Sequence, residues 1–197
     1  MKISKSRLRL LVAIMTLPTL TYAAEDTPSP EALLQETRAV AAAMPPKLMA
    51  ELQKEMASGG LVSAIAACRD KAPQMARDAS AKTGWQIRRV SLKNRNPQAA
   101  PDSWEHAVLT EFDQRVAAGA DAATLEKAET IDDGQHKTYR YMKALPTQPM
   151  CLACHGSATD IPADVSAKLR ELYPSDKATG YTVGAVRGAI SIWRPLN

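Results

Sequence analysis

Five consecutive residues, Cys151-Leu152-Ala153-Cys154-His155, restrict this 197-residue chain more than any others. Two residues between the cysteines let one helical turn present both thiols on one side, and an imidazole follows at once. The chain has one further cysteine, Cys68. Three thiols cannot all pair with one another, so one is left over or the set is committed to chemistry other than cross-linking.

The compartment bears on that choice. Lys2, Lys5, Arg7 and Arg9 precede an apolar run from Leu10 to Leu20 and the small-residue end Thr21-Tyr22-Ala23, with no acid before Glu25. This is the layout of a signal peptide cut after Ala23. The apolar run is well short of the roughly 20 residues that span a bilayer. The expectation is a signal peptide over 1–23, a polar linker over 24–29 and one domain over 30–197, exported to the periplasm with no transmembrane segment after cleavage. The formal charge of +4 belongs to the leader: without its four cations, 25 − 4 = 21 bases face 21 acids. A neutral mature chain argues against a nucleic-acid partner.

At 45% apolar and 23% charged, the composition is that of a globular protein. The single Phe, Phe112, leaves the interior to aliphatic side chains, Met or a cofactor. Ser29-Pro30 predicts a helix start, with the helix running to about Met44 and interrupted or kinked by Pro45-Pro46. A second piece with Leu48, Leu52 and Met56 on one face should end at Gly59-Gly60. The next helix, Leu61 to Ala79, places Leu61, Ile65, Cys68, Ala72 and Met75 on one line and Asp70, Gln74, Arg77 and Asp78 opposite. Cys68 is therefore expected to face the core, and Pro73 to kink the helix just beyond it.

Trp85–Leu92 reads as a strand, and Asp102 with Glu105 as a capping box for a helix ending near Gly119. Leu125–Ile131 and His136–Leu145 read as a hairpin turned at Asp132-Asp133-Gly134. A short helix over Ala163–Leu172 and a last strand over Val183–Trp193 complete an α+β domain with an antiparallel sheet.

C-x-x-C-H is the attachment signature of c-type haem: the two thiols meet the vinyl groups on one haem edge, and the imidazole sits beneath the iron. Export supports it. The competing readings are a thioredoxin-like pair, which lacks its βαβ context here, and a zinc site, for which only Cys68, His106 and His136 remain as further donors. A plain disulfide would close a strained loop. For the sixth iron position, His106 falls on the polar side of its helix and His136 lies beside a turn. Met75, Met142 and Met150 are reachable types but are more simply explained as core filling. Cys68 stands apart, and spacing alone leaves it open between a buried unpaired thiol and an iron ligand.

Several stretches together resemble a known family. They are Ala64-Ile65-Ala66-Ala67-Cys68-Arg69-Asp70-Lys71-Ala72-Pro73, Arg89 to Pro97, Cys151 to Gly156, Tyr173 to Tyr181, and Arg187-Gly188-Ala189-Ile190-Ser191. The family is one of c-type haem domains with a PAS-like fold, named after a cyanobacterial membrane-associated cytochrome and formerly catalogued as a domain of unknown function. The resemblance spans roughly 30–195. It implies a PAS-like antiparallel sheet with flanking helices, a long N-terminal helical segment and one covalent haem c with unusual His/Cys ligation. Carried over by position, Cys151 and Cys154 attach the haem, His155 is the proximal ligand and Cys68 the distal one.

One C-x-x-C-H means one haem, hence a one-electron carrier working with a redox partner protein. The alternative is a redox or gas-sensing module in which CO or NO displaces Cys68. A haem enzyme such as a peroxidase would need an open distal position with an acid–base residue, and no sequence feature supplies one. Arg95 and Asn96, in the loop after the first strand, are candidates for the haem surroundings, with turn-holding as the competing role.

Overall fold

The structure is a computed structural model that describes residues 28–196. The expected signal peptide, its cleavage point and most of the linker lie outside the described residues. Helix α1 (Pro30–Ala66) starts where the sequence predicts: Ser29 Oγ accepts the Ala32 amide at 3.2 Å, and Pro30 occupies the first turn, where no amide is needed. The expected interruption at Pro45-Pro46 does not occur. Helical angles persist through both prolines, and the chain breaks at Gly60 (φ 73°, ψ −167°), where the second helical piece is expected to end. Pro46 removes the amide partner of the Ala42 carbonyl, and Ala42 faces solvent, so water can serve it; Pro45 removes that of Ala41, which is buried in the core. The left-handed angles of Gly60, by contrast, are ones only glycine adopts freely.

The single helix expected over Leu61–Ala79 is three pieces: the end of α1, a π-turn over Ala67–Lys71, and α2 (Ala72–Thr83). Where Pro73 is expected to kink the helix just beyond Cys68, the helix has a π-turn that contains Cys68 and ends at Lys71. The stripe is less buried than its spacing suggests. Ile65 is buried, whereas Leu61, Cys68, Ala72 and Met75 are half-buried; Asp70, Gln74, Arg77 and Asp78 are exposed as expected.

Four strands follow with three helices between them: β1 (Gln86–Val90), α3 (Ser103–Ala117), β2 (Glu126–Asp132), β3 (Lys137–Pro146), α4 (Leu152–His155), α5 (Ala163–Leu172) and β4 (Val186–Leu196). They form one antiparallel sheet in the order β1-β4-β3-β2, the last strand lying beside the first. The α+β class, the PAS-like sheet with flanking helices and the long N-terminal helical segment are those expected. Strand β4 begins three residues later than predicted, because Thr182 and Ala185 close a turn (amide to carbonyl, 3.1 Å) and Gly184 has φ 85°.

Alternation along the strands builds two cores. Val90, Met142, Ala144 and Ala189 pack on Val108, Leu109 and Phe112 of α3. Ile87, Tyr139, Tyr141, Ile190 and Ile192 pack on Leu33 and Ala41 of α1 and Ala76 of α2. Burying each large side chain stabilises the fold by about 2 kcal/mol. The central strands β3 and β4 are covered on both faces. A third, smaller cluster joins Ile65 to Ile161, Val165 and Leu169, with Cys154 and Tyr173 against it.

The capping box forms as predicted: the Glu105 amide donates to Asp102 Oδ1 and the Asp102 amide to Glu105 Oε2, both at 2.9 Å. It also does more than start a helix. Glu105 is fully buried, takes a two-pronged ion pair from Arg88 on β1, and has Arg140 Nη2 at 3.5 Å. Arg140 in turn donates to Asp102 at 2.6 Å.

Candidate haem-binding site

Cys151 ends a 3₁₀ turn (Pro149–Cys151), and Leu152–His155 form the single α-helical turn α4. Both thiols are half-buried. Gly156 then lets the backbone leave, through lack of bulk: its φ is −68°, but a Cβ there would lie 2.7 Å from the Leu152 carbonyl oxygen. The chain returns alongside, with the Gly180 amide donating to Gly156 (2.7 Å) and the Tyr181 amide to His155 (2.9 Å).

His155 Nδ1 lies 2.7 Å from the Ala178 carbonyl oxygen. A carbonyl can only accept, so Nδ1 carries the hydrogen and Nε2 keeps its lone pair. Burial first, then the charges of Arg187 and Arg95, hold the imidazole pKa well below its usual value. The ring is therefore neutral at neutral pH, the state in which imidazole ligates a metal. Tyr181 stands edge-on to it, centroids 6.2 Å apart.

Arg95 holds this turn from outside. Its Nε donates to Asp176 at 2.8 Å and its Nη2 to the Cys154 carbonyl at 2.6 Å; the Ala178 carbonyl is 3.4 Å from the same nitrogen. It thus ties together both halves of the loop that orients His155. Asn96 holds a turn: its Oδ1 accepts the Gln98 amide at 2.9 Å at the start of the 3₁₀ segment Pro97–Ala99.

The π-turn brings Cys68 into the electrostatic neighbourhood of Cys151, Cys154, Arg89, Arg95 and Arg187. Burial raises the Cys68 thiol pKa, and the three guanidiniums oppose that rise. Of the other candidate ligands, His106 and His136 are exposed, and Met142 is sealed into the α3-side core; Met75 and Met150 are half-buried. Among the described residues, no three His, Cys, Asp or Glu side chains are grouped to hold a metal ion on their own, so the zinc reading finds no ligand set.

Sequence reasoning missed Arg187, Arg89 and Tyr181. Arg187 is 7% exposed, donates Nη1 to Ser91 Oγ at 3.2 Å and lies 5.2 Å from the Tyr181 ring centre, while its Nε has no partner. It occupies a bulge: Leu145 pairs with Gly188 and Pro146 with Val186, so Arg187 has no opposite residue on β3. Bulges re-aim side chains. Gly188 makes this one possible, with φ 147° and a backbone so close to Val90 that any Cβ would collide with its carbonyl oxygen. Arg187-Gly188 at the head of an apolar strand was the available signal, because an isolated strand glycine marks a bulge or a close backbone approach.

No helix among the described residues is long and apolar enough to cross a membrane. No curated protein matches this chain. The fold is similar to the crystal structure of the cyanobacterial heme-protein Tll0287, with 27% identity, 85% of this chain and 97% of that chain covered, and a TM-score of 0.57. The Tll0287-like family model matches residues 22–195 of the 197, and the protein belongs to that family.

Proposed function

We propose that the chain is an exported, monohaem c-type cytochrome-like protein that passes single electrons to and from a redox partner protein in the periplasm. Cys151 and Cys154 attach the haem, His155 is its proximal ligand and Cys68 its distal one. Family membership and the haem-protein relative support haem binding. The observation that carries the reading is the His155 tautomer: Nδ1 is committed to Ala178, and a lone pair is left on Nε2 directly after the two thiols.

The surrounding residues fit such a group. The buried Arg187 has an unpartnered Nε, and the half-buried stripe of Leu61, Cys68, Ala72 and Met75 offers an apolar face. Bound haem supplies reversible one-electron exchange. The protein's part is to hold geometry: Arg95 pins the Cys154 carbonyl and Ala178 fixes the imidazole plane. The apolar cluster of Ile65, Val165 and Leu169 limits water beside Cys154.

Electron paramagnetic resonance of the ferric periplasmic protein tests the ligand set. A thiolate-type low-spin spectrum is expected, lost in Cys68→Ala; a spectrum unchanged by the substitution removes Cys68 from the iron. Absence of haem on a denaturing gel overturns the covalent reading.

A second reading, redox or gas sensing with Cys68 displaced, draws on the position of Cys68 in a π-turn, a winding that is frequent at functional sites. It predicts a new Soret band when the ferrous protein meets CO, which a carrier with a permanent Cys68 ligand does not give.

A further inference from the structure

Three guanidiniums, those of Arg89, Arg95 and Arg187, bear on Cys68 and His155, but only Arg95 has a carboxylate partner, Asp176. Arg187 and Arg89 make no ion pair among the described residues. A buried guanidinium without a counter-charge is costly to keep in a fold, so its anion is expected to come from outside the chain. The geometry specifies which edge awaits it. Ser91 occupies Nη1, and Nε is unpartnered, which leaves the Nε–Nη2 edge that meets a carboxylate with two parallel hydrogen bonds. Tyr181 links this edge to the site, with Arg187 over its ring and the ring edge-on to His155.

We propose that Arg187, assisted by Arg89, is the anchor for a haem propionate. The inference rests on the haem reading above and reassigns the role that sequence suggested for Arg95 and Asn96. Arg95 is engaged by Asp176 and two carbonyls, and Asn96 by its own turn. Arg187 is a binding residue for the carboxylate; Arg95 is a positioning residue for the Cys151–His155 turn.

Resonance Raman spectra of the full-length protein, matured with its haem, test the assignment through the propionate bending bands. Arg187→Met should shift one of these bands to the position of a propionate without a charged partner, and Arg89→Gln should shift it in the same direction by less. Both substitutions should lower the midpoint potential, because an uncompensated carboxylate favours ferric iron. Arg89 is only half-buried, so its variant carries the test if Arg187→Met does not fold. Bands unmoved in the folded variants overturn the proposal. A changed thiolate-type resonance with unmoved propionate bands also overturns it, by pairing Arg187 with Cys68 instead. A wild-type protein without haem on a denaturing gel overturns the haem reading itself, a separate result from either of these.

Discussion

Glu105 and Arg187 are both buried ionisable side chains, and the chain treats them in opposite ways. Glu105 is fully buried but closed: Arg88, Arg140 and the Asp102 amide take up its two oxygens, and Trp104 covers the network from outside, with the Arg140 guanidinium 4.4 Å from its ring centre. Arg187 is nearly as buried yet open, with one hydroxyl, one aromatic ring, an unpartnered Nε and, among the described residues, no carboxylate in ion-pair reach. Arg140 and Arg187 each keep one buried Nε without a hydrogen bond, but Arg140 has the carboxylates of Asp102 and Glu105 beside it. A network with its charges paired within the chain serves stability. One left unfinished beside two thiols and a neutral imidazole is poised for something the chain does not contain.

The contrast can be broken by substitution. Glu105→Gln should cost about 3 kcal/mol, read by urea unfolding, because it leaves two guanidiniums against a neutral amide. In a haem-free background with Cys151 and Cys154 changed to Ala, Arg187→Met should leave stability unchanged or raise it. Equal losses in the two variants would abolish the distinction.

A smaller effect sharpens the closed side. Burial opposes ionisation of Asp102, but the Arg140 hydrogen bond and the Glu105 amide outweigh it, so its carboxyl lies below the usual Asp value. Stability from this group is therefore full above about pH 4 and lost as pH falls through the lower folded value. Asp102→Asn should cost less than about 1 kcal/mol at pH 7 and make the acid limb of stability shallower, measured by denaturant titration from neutral to acid pH. The smallest change is expected at Asn96. Removing its cap in Asn96→Ala should cost about 0.5 kcal/mol and leave the haem potential where it was. A shifted potential would return Asn96 to the haem surroundings.

What could be read from sequence was local. The Asp102–Glu105 box, the Asp132–Gly134 hairpin and the bounds of Ala163–Leu172 depend on residues a few positions apart, and all appear in the structure. The Cys151–His155 turn was legible for the same reason. Pro45-Pro46 misled because the cost of a helical proline can be offset by tertiary packing, and Ala41 and Met44 pack into the core directly before the pair. Arg187 was invisible as a site residue because its role needs a bulge, a partner strand and the absence of any nearby acid. The Ala178 carbonyl, which sets the His155 tautomer, is 23 residues away and carries no side-chain signature at all.

The π-turn at Ala67–Lys71 has a consequence for how this chain tolerates insertions and deletions. The Ala72 amide reaches back five residues to the Ala67 carbonyl, so the turn holds one residue more than an α-helical turn would. That extra residue offsets the helical phase on its two sides by about 100°. Cys68 is thus aimed by a count as much as by its identity. Removing the codon of Arg69 or Asp70 would rewind the segment to an α-helix and turn the thiol relative to Cys154 and His155, with all three residues still in the sequence.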